Sequence, residues 1–347
     1  MFFALTDDQR EFARAVRDFL HDRFDLDAVR VVVEDMSGDG HPAGLWRAMG
    51  EQGWLAVLVP EEHDGLGLGL VDAQAIAREL GAGVVPGPWR GTVLAAEAIR
   101  LAGSGSQRAQ WLPRLGAGDA VGALGLRASA ADTWTAVEYA RMADVLVMAD
   151  DAGLRLLRPE EVRTRGLSSF DGTTRLADVT LADGVGEPLT GSTRAVLAGL
   201  AARACVLVAA DLVGLAREAL TRTVDYDRER KQFGVPVGSF QALKHVMADL
   251  HVGITMAEHA VLYAAHALDC AGADDSAADA DLAVAVAKAK ASDIAVQVTG
   301  AMIQYHGGIG YTWEHEAHLF YKRAKRLAGT AGTAAAHRER IAALTIA

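Results

Sequence analysis

Apolar residues recur every three to four positions through most of residues 1–120 and again from 191 to 347, the period of helices with one buried face. The stretch TDDQREFARAVRDFLHDRF opens with Thr6 as an N-cap and repeats Phe12, Val16, Phe19 and Leu20 at helical spacing. LWRAMGEQGW (45–54) reads as a short helix, VPEEHDGLGLGL (59–70) as a glycine-rich loop, and VDAQAIARELGAG as a helix that stops on glycine. SQRAQWLPRLGAGD (106–119) closes this part with another short helix. Between 121 and 190 the period changes: VGALGLRAS, ADVLVMAD, LRLLRP and RLADVTL are short strand-type runs separated by Asp, Gly and Pro. Long helices are then expected from Arg194 to Leu220, Phe240 to Ala271 and Asp281 to Tyr305, with CAGADDSAADA (270–280) as a loop. The expected class is mainly α with a small β domain: a helical domain over 1–120, a short β domain over 121–190 and a helical bundle over 191–347. Strands and helices do not alternate, which excludes a doubly wound sheet.

Composition narrows the function classes. A net charge of −11 over 347 residues argues against non-specific nucleic-acid binding, which needs a basic face, and leaves room for a local basic pocket for a phosphate. Cys205 and Cys270 make neither a disulfide framework nor a zinc site. Both sit in apolar helical patterns and are expected to be buried thiols of a reducing compartment. MFFALTDDQREF turns charged after five residues, unlike a secretory leader. ACVLVAADLVGLA (204–216) is too short and too interrupted by Asp211 to span a bilayer. A soluble cytoplasmic protein is expected.

Three stretches carry candidate chemistry. In RERKQFGVPVGSFQALKHVMADL (228–250), Arg228, Arg230 and Lys231 precede Phe233-Gly234 and a new helix near Phe240. Such a basic turn can hold a pyrophosphate, with Gln232 and Gln241 as hydrogen-bonding groups for a ring system. A solvated charge run at a helix end accounts for the same residues. HGGIGY (306–311) allows close backbone approach, or is simply a helix cap and turn. It lacks the dinucleotide spacing and follows no strand. HEAH (315–318) sets two histidines three apart rather than four, so it is no zincin motif. No serine-hydrolase elbow is present.

Taken together these stretches resemble the acyl-CoA dehydrogenase family over nearly the whole chain. WRAMGEQGWLAVLVPEEHDGLGLGLVDAQAIARELG is similar to its N-terminal helical segment, RKQFGVPVGSFQALKHVMADL to its flavin-contact signature, and QYHGGIGYTWEHEAHLFYKRAKRLAGTAG to its C-terminal signature. The resemblance implies α,β-dehydrogenation of an acyl-CoA thioester, with a glutamate as base and FAD as hydride acceptor. It implies that Arg230, Gln232 and Phe233 grip the pyrophosphate and adenine half of FAD. Gln241, Gln304, Gly307, Gly308 and Thr333 match further contact positions. In the family these groups reach the FAD of a neighbouring subunit.

The base itself is missing. Between Glu316 and Glu339 there is no carboxylate. Alignment from Gly307-Gly308 sets Thr330-Ala331-Gly332-Thr333 on the family's Y-E-G-T stretch, so the glutamate position is Ala331. The alternative base position, 26 residues before Arg230, is Ala204. The family's TEP-x-x-GSD loop is also absent from ALGLRASAADT (123–133). The resemblance is therefore to the glutamate-lacking chain of heteromeric dehydrogenases of bacterial steroid side-chain degradation. It implies a heterotetramer, two copies of each chain, whose homologous partner carries the base. A bulky or steroid acyl-CoA substrate and an electron acceptor complete the expectation. Two alternatives stand beside it. One is a self-sufficient homotetramer using Asp225, Asp227 or Glu314 as base. The other is a non-catalytic acyl-CoA or flavin binder.

Overall fold

The computed structural model describes residues 5–35, 38–126, 132–182, 186–271 and 277–346. The first helices are α1 (Asp7–Arg23), α2 (Leu26–Glu34), α3 (Ala43–Glu51), α4 (Leu70–Ala82), α5 (Trp89–Ala102) and α6 (Gly105–Ala117). Strands follow: β1 (Gly122–Gly125), β2 (Thr133–Glu138), β3 (Val145–Asp150), β4 (Gly153–Leu157), β5 (Val162–Leu167), β6 (Leu176–Leu181) and β7 (Glu187–Pro188). Then come α7 (Arg194–Glu229), a hairpin of β8 (Lys231–Gln232) and β9 (Val235–Pro236), α8 (Gln241–Cys270), α9 (Ala277–Tyr305), α10 (Ala317–Gly329) and α11 (Ala334–Thr345). This is the expected order of helices, small sheets and helices.

The chain forms two compact units. One comprises residues 27–73 and 86–204. Its larger sheet has the order β1-β3-β4-β7, with β1 parallel to β3 and the remaining pairs antiparallel. Strand β3, VLVMAD, is buried along almost its whole length, which explains its continuous apolar run. Helix α5 lies on β1, and Thr92 Oγ1 accepts from Gly122 N at 3.1 Å. Ile99, Trp111, Leu112, Leu115, Val147 and Leu156 belong to the core beneath this sheet. A second, antiparallel sheet has the order β2-β6-β5. Strand β5, VRTRGL, carries two arginines and is largely exposed, so no apolar alternation announces it. Strand β2 lies outside the expected strand runs, and residues 127–131, the end of the run VGALGLRAS and the middle of ALGLRASAADT, lie outside the described residues.

The other unit comprises residues 1–26, 74–85 and 205–347. Helix α1 starts at a capping box: Thr6 Oγ1 accepts from Gln9 N, and the Gln9 side chain accepts from Thr6 N. Helix α9 packs against α8, α10 and α11. Helices α4 and α7 cross at glycine. A Cβ on Gly214 would fall on the Arg78 carbonyl oxygen, and one on Gly81 on the Asp211 carbonyl oxygen. Beside this crossing Glu79, 2% exposed, accepts a bidentate pair from Arg17 at 3.0 Å and contacts from Arg78 and Arg217. Glu258 joins Arg78 and Arg217 from the far side. Asp211 is held by Arg323 at 2.7 and 3.1 Å, and Arg323 also donates to Val85 O.

Three expectations change. Helix α7 runs nine residues past Leu220, because TRTVDYDRE keeps a buried stripe through Thr223 and Asp227. With that length it contains a window of mean hydropathy 2.0, long and apolar enough to cross a bilayer; 67% of the window is buried inside the protein. Burial, not shortness, marks it as a core helix. Cys205 is buried as expected, but Cys270 is exposed, because the helical repeat turns the last residue of α8 outward.

Burial raises the pKa of Glu79, but the hydrogen bond from Arg17 and the charges of Arg78 and Arg217 outweigh it and hold it below the usual 4.5. Its contribution to stability is therefore present above pH 4.5 and lost as pH falls through that depressed value. Glu79→Gln is expected to destabilise the protein by about 3–5 kcal/mol at neutral pH and to flatten acid unfolding. A denaturant titration showing less than about 1 kcal/mol would contradict this role.

Candidate functional site

Two segments meet at the C-terminal end of α7. Its last turn leads through Arg230 into the β8–β9 hairpin, whose register pairs Lys231 with Pro236 and Gln232 with Val235. The two turn residues, Phe233 and Gly234, both have positive φ, 54° and 81°, as the tight turn of a right-twisted hairpin requires. Such a backbone is strained for phenylalanine, by about 1 kcal/mol or more. Yet its side chain is 93% exposed, and its ring meets Phe240 in a T-shaped contact with centroids 6.4 Å apart. Arg230, Lys231, Gln232 and Gln241 are exposed beside it, and no atom lies within 4 Å of where a Gly234 Cβ would stand.

The second segment is the turn after α9. Gln304 is exposed; Gly307 (φ 66°) and Gly308 are exposed with open space over both. Gly310 is closed, since a Cβ there would fall on Ile303 O. Tyr226 ties turn to hairpin: its hydroxyl donates to His306 O at 3.3 Å and its ring stacks on His306 at 4.5 Å. Buried His306 binds Met302 O through Nδ1 at 2.7 Å. Its pKa is lowered by burial first, with a smaller push from His315. The structure thus brings Arg230, Gln232 and Phe233 to the same helix end as the 306–311 turn, joined by a tyrosine and a histidine that the motif reading passed over.

The loop after α10 is built separately. Ala331 has φ 56° and Gly332 φ 95°. Ala331 O accepts from Cys205 Sγ at 3.4 Å and lies 2.9 Å from His337 Nε2. Lys288 is fully buried, and its Nζ donates to Gly332 O at 2.9 Å, Ala328 O at 3.3 Å and Ser292 Oγ at 2.8 Å. Thr333 caps α11, its hydroxyl accepting from Ala336 N. The backbone where a base would stand is therefore held by main-chain contacts, while the side chain there is an exposed methyl. The signal for Lys288 was a lysine on the apolar face of the alanine-rich AVAKAKASD.

The other base candidates fare as follows. Ala204 is buried on α7 and carries no ionisable group. Asp225 is exposed and pairs with Arg228 at 3.2 Å. Glu314 is exposed. Asp227 is buried, neither carboxylate oxygen has a hydrogen-bond partner, and burial pushes it up to about 6. Its backbone carbonyl lies 2.9 Å from where a Gly238 Cβ would stand, under the hairpin.

Burial pushes Lys288 down to about 8. Between that value and its ordinary 10.5 the unfolded chain binds the extra proton, so stability rises with pH across this window. Relative to Lys288→Met, the wild-type protein is expected to gain up to about 1.4 kcal/mol per pH unit there. Parallel pH dependences of stability for the two proteins would show instead that Lys288 keeps its ordinary pKa, and its charge, in the folded loop.

Comparison with known proteins agrees with this layout. The acyl-CoA dehydrogenase N-terminal domain matches residues 6–119 and the C-terminal domain residues 195–345. Acyl-CoA dehydrogenase IpdE2 of Mycobacterium tuberculosis is 38% identical over 83% of this chain and 82% of its own length. FadE34 of the same organism is 31% identical over 99% of this chain, which spans 49% of it. The solved Tcur3481-Tcur3483 steroid ACAD superimposes with a TM-score of 0.87 at 26% identity, covering 98% of each chain. Two further solved structures of this fold hold FADH2 or FAD. The exposed guanidinium, amide and aromatic groups at the α7 end, with glycines open above them, suit a dinucleotide of that kind. With these matches at both ends and along most of its length, the chain belongs to the acyl-CoA dehydrogenase family.

Proposed function

We propose that this chain is the base-lacking subunit of a heteromeric, FAD-dependent acyl-CoA dehydrogenase acting in the cytoplasm. One observation carries the reading. The loop at 330–333 keeps a tightly held backbone, but residue 331 is alanine, so no carboxylate stands where the α-proton must be taken. The dinucleotide-side groups are meanwhile kept and exposed. Arg230 and Lys231 would hold phosphate charge, and Gln232, Gln241 and Gln304 would hydrogen-bond the ring end. Phe233 would offer a stacking face, with Gly307 and Gly308 admitting the ligand close to the backbone. Thr333 would act through its hydroxyl. When bound, FAD supplies the hydride acceptor.

A homologous partner would then supply the base, in a heterotetramer with two copies of each chain. FadE34 supports such a division, because the chain matches only half of that relative and leaves a stretch as long unmatched. The likeness to a steroid ACAD favours a bulky, steroid-type CoA thioester as substrate. The three-part division at residues 120 and 190 belongs to the same proposal. Asp227 is a poor replacement base, because its carboxylate is buried and closed to solvent.

The test is flavin per chain, measured on the protein alone and after co-expression with a neighbouring dehydrogenase gene. Little flavin alone and one FAD per pair of chains together is expected; one FAD per lone chain would overturn the proposal. In the complex, Arg230→Ala is expected to weaken FAD roughly ten- to a hundredfold, read by fluorescence titration, and unchanged affinity would remove that residue from the site. Ala331→Glu in the lone chain is expected to give no turnover with acyl-CoA and an artificial electron acceptor.

A further inference from the structure

A cavity of about 240 Å³ opens between the ends of α1 and α4 and the C-terminal half of α7. That is the share of about eight waters in the liquid, more than an ion needs and enough for a small ring compound. Its walls follow from the sequence. Leu20 and Phe24, both buried, stand one helical turn apart at the end of α1, and Leu26 follows them. Helix α4 ends here in Ala82 and Gly83, which are too small to fill the gap. Glu218 and Arg222, again one turn apart, line it from α7.

The charges around the cavity already cancel. Arg17, Arg78 and Arg217 pair with Glu79 and Glu258, and Arg222 pairs with Glu218 and Glu316, so four guanidiniums meet four carboxylates. Asp25 and His21 stand exposed at the mouth. What is left over is donor capacity. Arg17 commits Nε and Nη2 to Glu79, and Arg222 commits Nε and Nη1 to Glu218 and Glu316. Among the described residues, Arg17 Nη1 and Arg222 Nη2 have no acceptor. Each is an amino group with hydrogens to donate.

We infer that this cavity binds an uncharged ring compound carrying a carbonyl oxygen. The ring body covers Leu20, Phe24 and Leu26, and the oxygen accepts from the uncommitted guanidinium groups. An ionic ligand would bring a charge that meets no remaining counter-charge. A plain hydrocarbon would strip water from the free amino groups and give them no acceptor in return. The inference goes beyond the proposed dehydrogenase role and does not rest on it, because binding is read without flavin or thioester.

Calorimetric titration of the full chain with α-tetralone, a bicyclic ketone, tests it. One site per chain is expected, with a Kd of about a millimolar or tighter. Tetralin carboxylate and aminotetralin present the same rings with an anion or a cation, and each is expected to bind at least about tenfold more weakly. Ala82→Phe fills the cavity and is expected to abolish the binding heat. Arg222→Met keeps the stem, removes the donors, and is expected to weaken α-tetralone by about tenfold. Should Ala82→Phe fail to fold, Arg222→Met decides alone. The absence of saturable binding overturns the inference, as does a carboxylate or amine that binds as tightly as the ketone. So does α-tetralone affinity unchanged in Arg222→Met, or surviving in folded Ala82→Phe.

Discussion

The crossing of α4 and α7 is the constraint on which the rest of this unit depends. Gly81 and Gly214 let two backbones touch, and no other residue fits either position. So close a crossing leaves little side-chain volume around it, and buried charge fills the space. Glu79 and Asp211 are each enclosed by arginines from other segments, Arg17 and Arg217 for one and Arg323 for the other. With Glu258 of α8 on Arg78 and Arg217, these pairs tie α1, α4, α7, α8 and α10 together through directional contacts, where apolar packing alone would tolerate a slipped register. The position of the far end of α7, with Tyr226 and the hairpin, follows from that anchoring.

Much of the architecture was legible in the chain. Thr6 and its capping box, the apolar run of β3 and the glycine stop of α4 were read from residue type and period, because local physics dictates them. Strand β5 was not, since its arginines face solvent and leave no alternation. Cys270 was misplaced because an apolar pattern does not say which side of a helix the last turn presents. The length of α7 was missed because its final turns are polar on three sides and buried on one.

The site divides in the same way. Arg230, Gln232 and Phe233 were visible as a motif, being contiguous in sequence. Lys288, Cys205 and His337 were not, because they converge on Ala331 and Gly332 from three helices and bind main-chain oxygens, which no side-chain motif records. Tyr226 and His306 escaped for a related reason. Their stacking joins segments eighty residues apart, and each taken singly looks like an ordinary helix-end aromatic residue.

That the loop is held by its carbonyls has an evolutionary consequence. Every contact that shapes 330–333 is indifferent to the side chain at 331, so exchange of a carboxylate for a methyl there leaves the fold undisturbed. Alanine and glutamate codons differ by a single base. A lineage can therefore shed this residue in one step without loss of stability, and selection for a folded chain cannot restore it. A folded chain therefore gives no signal, for or against, about a carboxylate at this position.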